Sequence, residues 1–211
     1  MIITLPRWDN VTEYLSQFSE EILEEAEKQN VKYKPLKDED ANKKEFEKVL
    51  SNLNYNLLIF NGHGSPESIN GQDDETIIEV GMNDSLLKER IVYARACESG
   101  AVLGKKCTQG TEQGCFIGYE SKFEFWADKS WDSVPLKDET AKLFLEPSNM
   151  LAISLIKGHS AEIAHETAKK HMLKNIKKVL KNRPEDSFWL ISTLWANYNC
   201  QVLYGNPSAT I

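Results

Sequence analysis

No apolar run in this sequence approaches the ~18 residues of a membrane-spanning helix, so none is predicted. The opening residues, Met1-Ile2-Ile3-Thr4-Leu5-Pro6-Arg7, lack the charged start and small-residue cleavage site of a secretory leader. Cysteine is scarce as well. Cys97, Cys107, Cys115 and Cys200 make no CxxC pair and no secreted framework, and they read as reduced thiols of a cytoplasmic protein. Their spacing does not suit zinc. Positive charge is in deficit. A net charge of -7 argues against a nucleic-acid backbone as the main partner, since that requires a basic footprint. The lysines between Ala168 and Lys181 fit a solvated helical face. GxGxxG, GxxxxGK[ST] and GxSxG are all missing, which removes the common phosphate-cradling loops and the serine elbow. Glu162 and His165 form a single ExxH without a second copy, and His165 and His171 are too far apart for HExxH. No metal or cofactor site is predicted.

What remains is a pattern of alternating strands and helices. A chain of 211 residues can bury a core without disulfide or metal, and no repeat or linker divides it, so residues 1–211 are expected to form one domain. Met1–Pro6 reads as a buried strand, followed by a helix from Asn10 to about Gln29 that opens on an Asn10/Glu13 capping box. Val31–Leu36 is an edge strand containing Pro35, and a helix spans about Asp40–Leu53. Asn56–Phe60 and Ile91–Ala96 lack polar alternation, as central parallel strands do. Between them lies an insert, Gly64–Leu87, with a short strand at Ile77–Val80. Gly114–Tyr119 is a fifth strand, and an aromatic loop from Lys122 to Val134 follows it. Helices are expected at Lys137–Ile156 (with Pro147 a candidate break), Ala161–Asn182 and Ser187–Trp195, before a last strand, Gln201–Tyr204. The fold class is therefore α/β: a doubly wound, mostly parallel six-stranded sheet with helices on both faces.

Two strands end in chemically capable residues. The first runs into Asn61-Gly62-His63-Gly64 and the second into Ala94-Arg95-Ala96-Cys97-Glu98-Ser99-Gly100. Carboxyl ends of parallel strands are where such sheets gather reactive groups, and an imidazole beside a thiol suits nucleophilic catalysis. A helix starting just after Cys97 would lower the thiol pKa through its dipole. The unshielded N–H of Gly64, with the N–H of Cys97, could cradle a developing oxyanion. Arg95 lies two residues before Cys97 and so on the same face of the strand, where it would flank a substrate pocket and favour acidic or neutral side chains.

A hydrophobic strand ending in His-Gly, then a core strand ending in Ala-Cys, resembles the caspase-like (clan CD) cysteine peptidases, a group that includes caspases, metacaspases, gingipains and CHAT domains. The compact interval from His63 to Cys97 is nearer to the gingipain-like and CHAT members. Further likeness lies in Gly114-Cys115-Phe116-Ile117-Gly118-Tyr119, in Ile156-Lys157-Gly158-His159-Ser160-Ala161, and in Val202-Leu203-Tyr204-Gly205-Asn206-Pro207, where Asn206 stands for the usual Asp. The resemblance implies a caspase-like fold and an endopeptidase acting on a protein or peptide substrate. Cys97 would attack the carbonyl and His63 would protonate the leaving amine, without a cofactor. It also implies activation by a protein partner or assembly. The Lys122–Val134 loop, whose four large aromatics are more than a plain loop needs, is the element such a partner would order. The rival readings are a catalytically silent caspase-like scaffold and a flavodoxin-like binding module.

Overall fold

Side-chain parity along the strands sets what each face of the sheet buries. The computed structural model describes residues Met1–Ile211, and in β1 (Ile2–Leu5), β3 (Leu57–Asn61), β6 (Ile91–Arg95) and β7 (Cys115–Tyr119) every residue is buried. Ile3, Leu5, Leu57, Ile59, Ile91, Tyr93 and Ile117 pack on one face. Ile2, Leu58, Phe60, Val92, Ala94 and Phe116 pack on the other. Strands covered on both faces need no polar alternation, which is why their sequences read as unbroken apolar runs.

With β2 (Lys34–Lys37) and β8 (Gln201–Gly205) at its edges, the six-stranded sheet has the order β2-β1-β3-β6-β7-β8. All neighbours run parallel except β8, which is antiparallel to β7. The edge strand β2 carries Pro35 where no inner strand could. One face is covered by α1 (Asn10–Phe18), α2 (Glu20–Lys28), α5 (Glu139–Ile156) and α6 (Ala161–Asn182). The opposite face is covered by α3 (Lys43–Asn52), α4 (Leu103–Cys107) and a small hairpin of β4 (Ser68–Asn70) and β5 (Thr76–Glu79). A last helix, α7 (Ser187–Cys200), feeds directly into β8. No helix is long and apolar enough to cross a membrane.

Three local features depart from the sequence reading. The first helix is two helices. They part at Ser19, whose hydroxyl donates to the Leu15 carbonyl and so competes with the backbone ladder. Its N-cap is Asp9 rather than Asn10, and Thr12 supplies the reciprocal side chain of the capping box. Pro147 does not end α5. The N–H it lacks would leave the Leu143 carbonyl unpaired, and Asn175 of α6 donates its Nδ2–H to that oxygen at 2.7 Å.

Candidate active site

β3 and β6 pair in register up to Asn61 opposite Arg95. His63 and Cys97 each lie two residues beyond that last pair, so they leave the sheet side by side at its carboxyl rim. The turn before His63 is possible only with glycine. Gly62 has a φ of 155°, and a Cβ there would lie 1.9 Å from the Asn70 carbonyl oxygen. Gly64 packs on the cysteine itself: a Cβ would sit 2.7 Å from the Cys97 carbonyl oxygen and 2.9 Å from Ala96 Cβ. Neither the Gly64 N–H nor the Cys97 N–H donates a hydrogen bond within the chain.

Asp9 holds the imidazole. His63 Nε2 lies 2.7 Å from Asp9 Oδ2, and Trp8 meets the ring edge-on with centroids 5.4 Å apart. Burial of Asp9 pushes its pKa up. Hydrogen bonds from the Thr12 N–H and hydroxyl, and from His63, outweigh burial and leave the pKa below the usual carboxylate value. An ionised carboxylate only accepts, so in the neutral imidazole Nε2 carries the proton and Nδ1 is left as the acceptor. Asp9 thus serves both as the N-cap of α1 and as the orienting partner of His63. Sequence reasoning missed it because it precedes a helix and lies far from both strand ends.

Cys97 is half-buried, and its thiol donates to the Phe123 carbonyl at 3.6 Å. Desolvation raises its pKa; the Phe123 contact lowers it only partly, and the carboxylates of Glu124 and Glu98 push further upward. The expected depression does not occur, because no helix begins at Cys97. A turn follows instead, and α4 starts only at Leu103. Within that turn Glu98 takes the left-handed conformation, φ 59°, uncommon for a residue with a side chain and a known companion of functional turns. The N–H of Glu98 bonds to the Ser121 carbonyl at 2.9 Å, which ties the turn to the segment after β7.

His63 and Cys97 line one cleft of about 730 Å³, together with Val11, Trp126, Trp189 and Thr193 among others. The strap Phe123–Ala127 forms part of it. Phe123 stacks on Tyr119 and Phe125 leans on Tyr14, while Trp126 remains partly exposed. Asn197 of α7 fixes the strap. Its Oδ1 accepts from the Glu124 N–H at 3.2 Å and its Nδ2–H donates to the Glu124 carbonyl at 2.7 Å.

Arg95 is not at the cleft. The guanidinium is fully buried, donating to Asn61 Oδ1 at 2.6 Å, Asn149 Oδ1 at 2.9 Å, the Leu15 carbonyl at 3.2 Å and Ser19 Oγ. Parity does put Arg95 on the face of Ile91 and Tyr93, but α1 and α5 cover that face and exclude a substrate. The assignment of Arg95 to substrate binding is therefore corrected: its role is to join β6 to α1 and α5. No group of three or more His, Cys, Asp or Glu side chains is placed to share a metal ion.

No protein-family model and no curated protein matches the sequence. Solved structures do. The crystal structure of the Arg-specific cysteine proteinase gingipain R superposes with a TM-score of 0.62 at 13% identity, over 100% of this chain and 46% of the gingipain chain. A complex of the pro- and mature domains of Porphyromonas gingivalis RgpB gives 0.62 at 12% identity, over 100% and 48%. The fold is caspase-like. This chain spans less than half the length of those proteinases, and at such identity the likeness establishes the architecture alone.

Proposed function

We propose that residues 1–211 form a caspase-like cysteine endopeptidase domain in which Cys97 is the nucleophile and His63, oriented by Asp9, moves the proton. The observation that carries this reading is the equal offset of His63 and Cys97 beyond paired strands, with both side chains on one cleft. A thiol raised above its ordinary pKa rests protonated, so attack needs a base. His63 Nδ1 takes the Sγ proton as sulfur bonds to the peptide carbonyl carbon. The Gly64 and Cys97 N–H groups, free of other partners, are the donors for the resulting oxyanion. Collapse breaks the C–N bond, and His63 returns the proton to the departing amine. Water, deprotonated by the same imidazole, then cleaves the thioester and regenerates the thiol.

The thiol's contact with the Phe123 carbonyl supports activation by a partner or larger assembly that releases this one contact. A CHAT-type affiliation belongs to the same proposal. Reaction of the native protein with a peptidyl chloromethyl ketone, followed by peptide mapping, tests the assignment. The adduct is expected on Cys97, with His63→Ala slowing its formation. Adducts distributed over Cys107, Cys115 and Cys200 instead would reject it and favour a silent scaffold.

A further inference from the structure

Apolar surface lines the cleft well beyond what the reacting groups require. Val11 of α1 is 40% exposed, Trp126 of the strap 41% and Trp189 of α7 56%. All three are open to solvent, yet they converge on the cavity that begins at Cys97. Trp126 is set in place rather than loose: its Nε1–H donates to Thr193 Oγ1 at 3.0 Å, and Asn197 clamps the backbone two residues earlier. An indole fixed by its polar edge presents a ready face to a guest and loses little freedom on binding.

Charge discriminates among guests. Glu124 is the one Asp, Glu, Lys or Arg side chain in the lining, and it is exposed. Arg95 is withdrawn into the core. An acidic guest would thus meet no arginine or lysine, and a basic guest would meet only a solvated carboxylate, whose attraction is weak. A carboxylate would also give up hydration against two indole faces, which repel anions. A cation gains less from such faces at exposed sites than a large apolar side chain gains from burial.

We infer that this cleft receives a large apolar side chain, aromatic or leucine-sized, between Trp126 and Trp189, from the substrate residue that supplies the carbonyl attacked by Cys97. This rests on the peptidase reading above, because that residue's side chain is the one that enters a cavity opening at the sulfur. Trp126 and Trp189 are the specificity-determining residues.

The test separates binding from chemistry. Capped tripeptide amides that differ only in a last residue of Phe, Leu, Arg or Glu are titrated calorimetrically into the Cys97→Ser variant. Phe and Leu are expected to bind at least about ten-fold tighter than Arg and Glu, the scale of discrimination an apolar pocket supplies. Trp189→Ala and Trp126→Ala, both truncations of exposed side chains, are expected to erase most of that preference. Tightest binding of Arg or Glu, equal binding of all four, no saturable binding of any, or an unchanged preference in both tryptophan variants would each overturn the inference. Chloromethyl ketone mapping on the wild type reports on Cys97 separately. A Phe preference without alkylation at Cys97 would reject the peptidase reading and leave the apolar pocket standing.

Discussion

At the level of single residues, Asp9 has two tasks that mutation can separate. Asp9→Asn keeps an N-cap oxygen for α1 but removes the charge that orients His63. On the proposed reading, peptidase activity is expected to fall about 100-fold or more, the scale of acid–base contributions, with little change in thermal stability. Asp9→Ala loses both tasks and should also cost about 1 kcal/mol, the usual worth of a cap, by urea denaturation. The sign of the acid limb follows from the lowered pKa of Asp9. Its stabilisation is complete above the ordinary value of 3.8 and is lost as pH falls through the depressed one, a dependence that Asp9→Ala should flatten. Cys97 moves the other way. With its thiol raised above 9.0, iodoacetamide alkylation of the resting protein should stay slow through neutral pH and climb only beyond that value. A depressed alkylation midpoint would contradict the burial described here. Gly64→Ala places a methyl against the Cys97 carbonyl and should cost about 1–3 kcal/mol as well as activity.

Among the elements, the strap and α7 behave as one body because Asn197 is buried and satisfied on both sides by the Glu124 backbone. Asn197→Ala leaves two backbone groups without partners. It is expected to destabilise by about 1–3 kcal/mol and to open the 122–134 segment to limited proteolysis while β6 and β7 stay protected. Unchanged cleavage would show that Phe123, Phe125 and Trp126 hold the strap without Asn197. The elements were legible in the sequence to unequal degrees. β3 and β6 were readable because burial on both faces leaves an unmistakable apolar run. The passage of α5 through Pro147 was not, since the compensating donor, Asn175, sits on another helix. The turn after Cys97 was misread as a helix start because small residues suit either conformation, and what fixes the turn is the distant Ser121 carbonyl.

For the molecule as a whole, the strand-end placement of His63 and Cys97 and the glycines beside His63 could be read from local pattern, whereas the side chain that orients His63 and those that wall the cleft come from afar. Asp9 lies 54 positions from His63, and Arg95 finds partners 34 to 80 positions away. Periodicity assigned Arg95 a face but carried no information about what covers it. Arg95→Met should therefore act as a core lesion. It leaves Asn61 and Asn149 without a donor and is expected to cost about 2–4 kcal/mol in urea denaturation, without altering the ranking of bound peptides. The spread of those contacts also has a consequence for synthesis. His63 is oriented by Asp9 near the first residues, while the cleft is walled by Trp189, Thr193 and Ala196 near the last. Such widely separated contacts close late in folding. A ribosome-bound chain that has already released both His63 and Cys97 would still lack that wall of the cleft. On the peptidase reading proposed above, the cleft is complete only once translation has passed α7, so the chain would not cut its neighbours, or itself, before then.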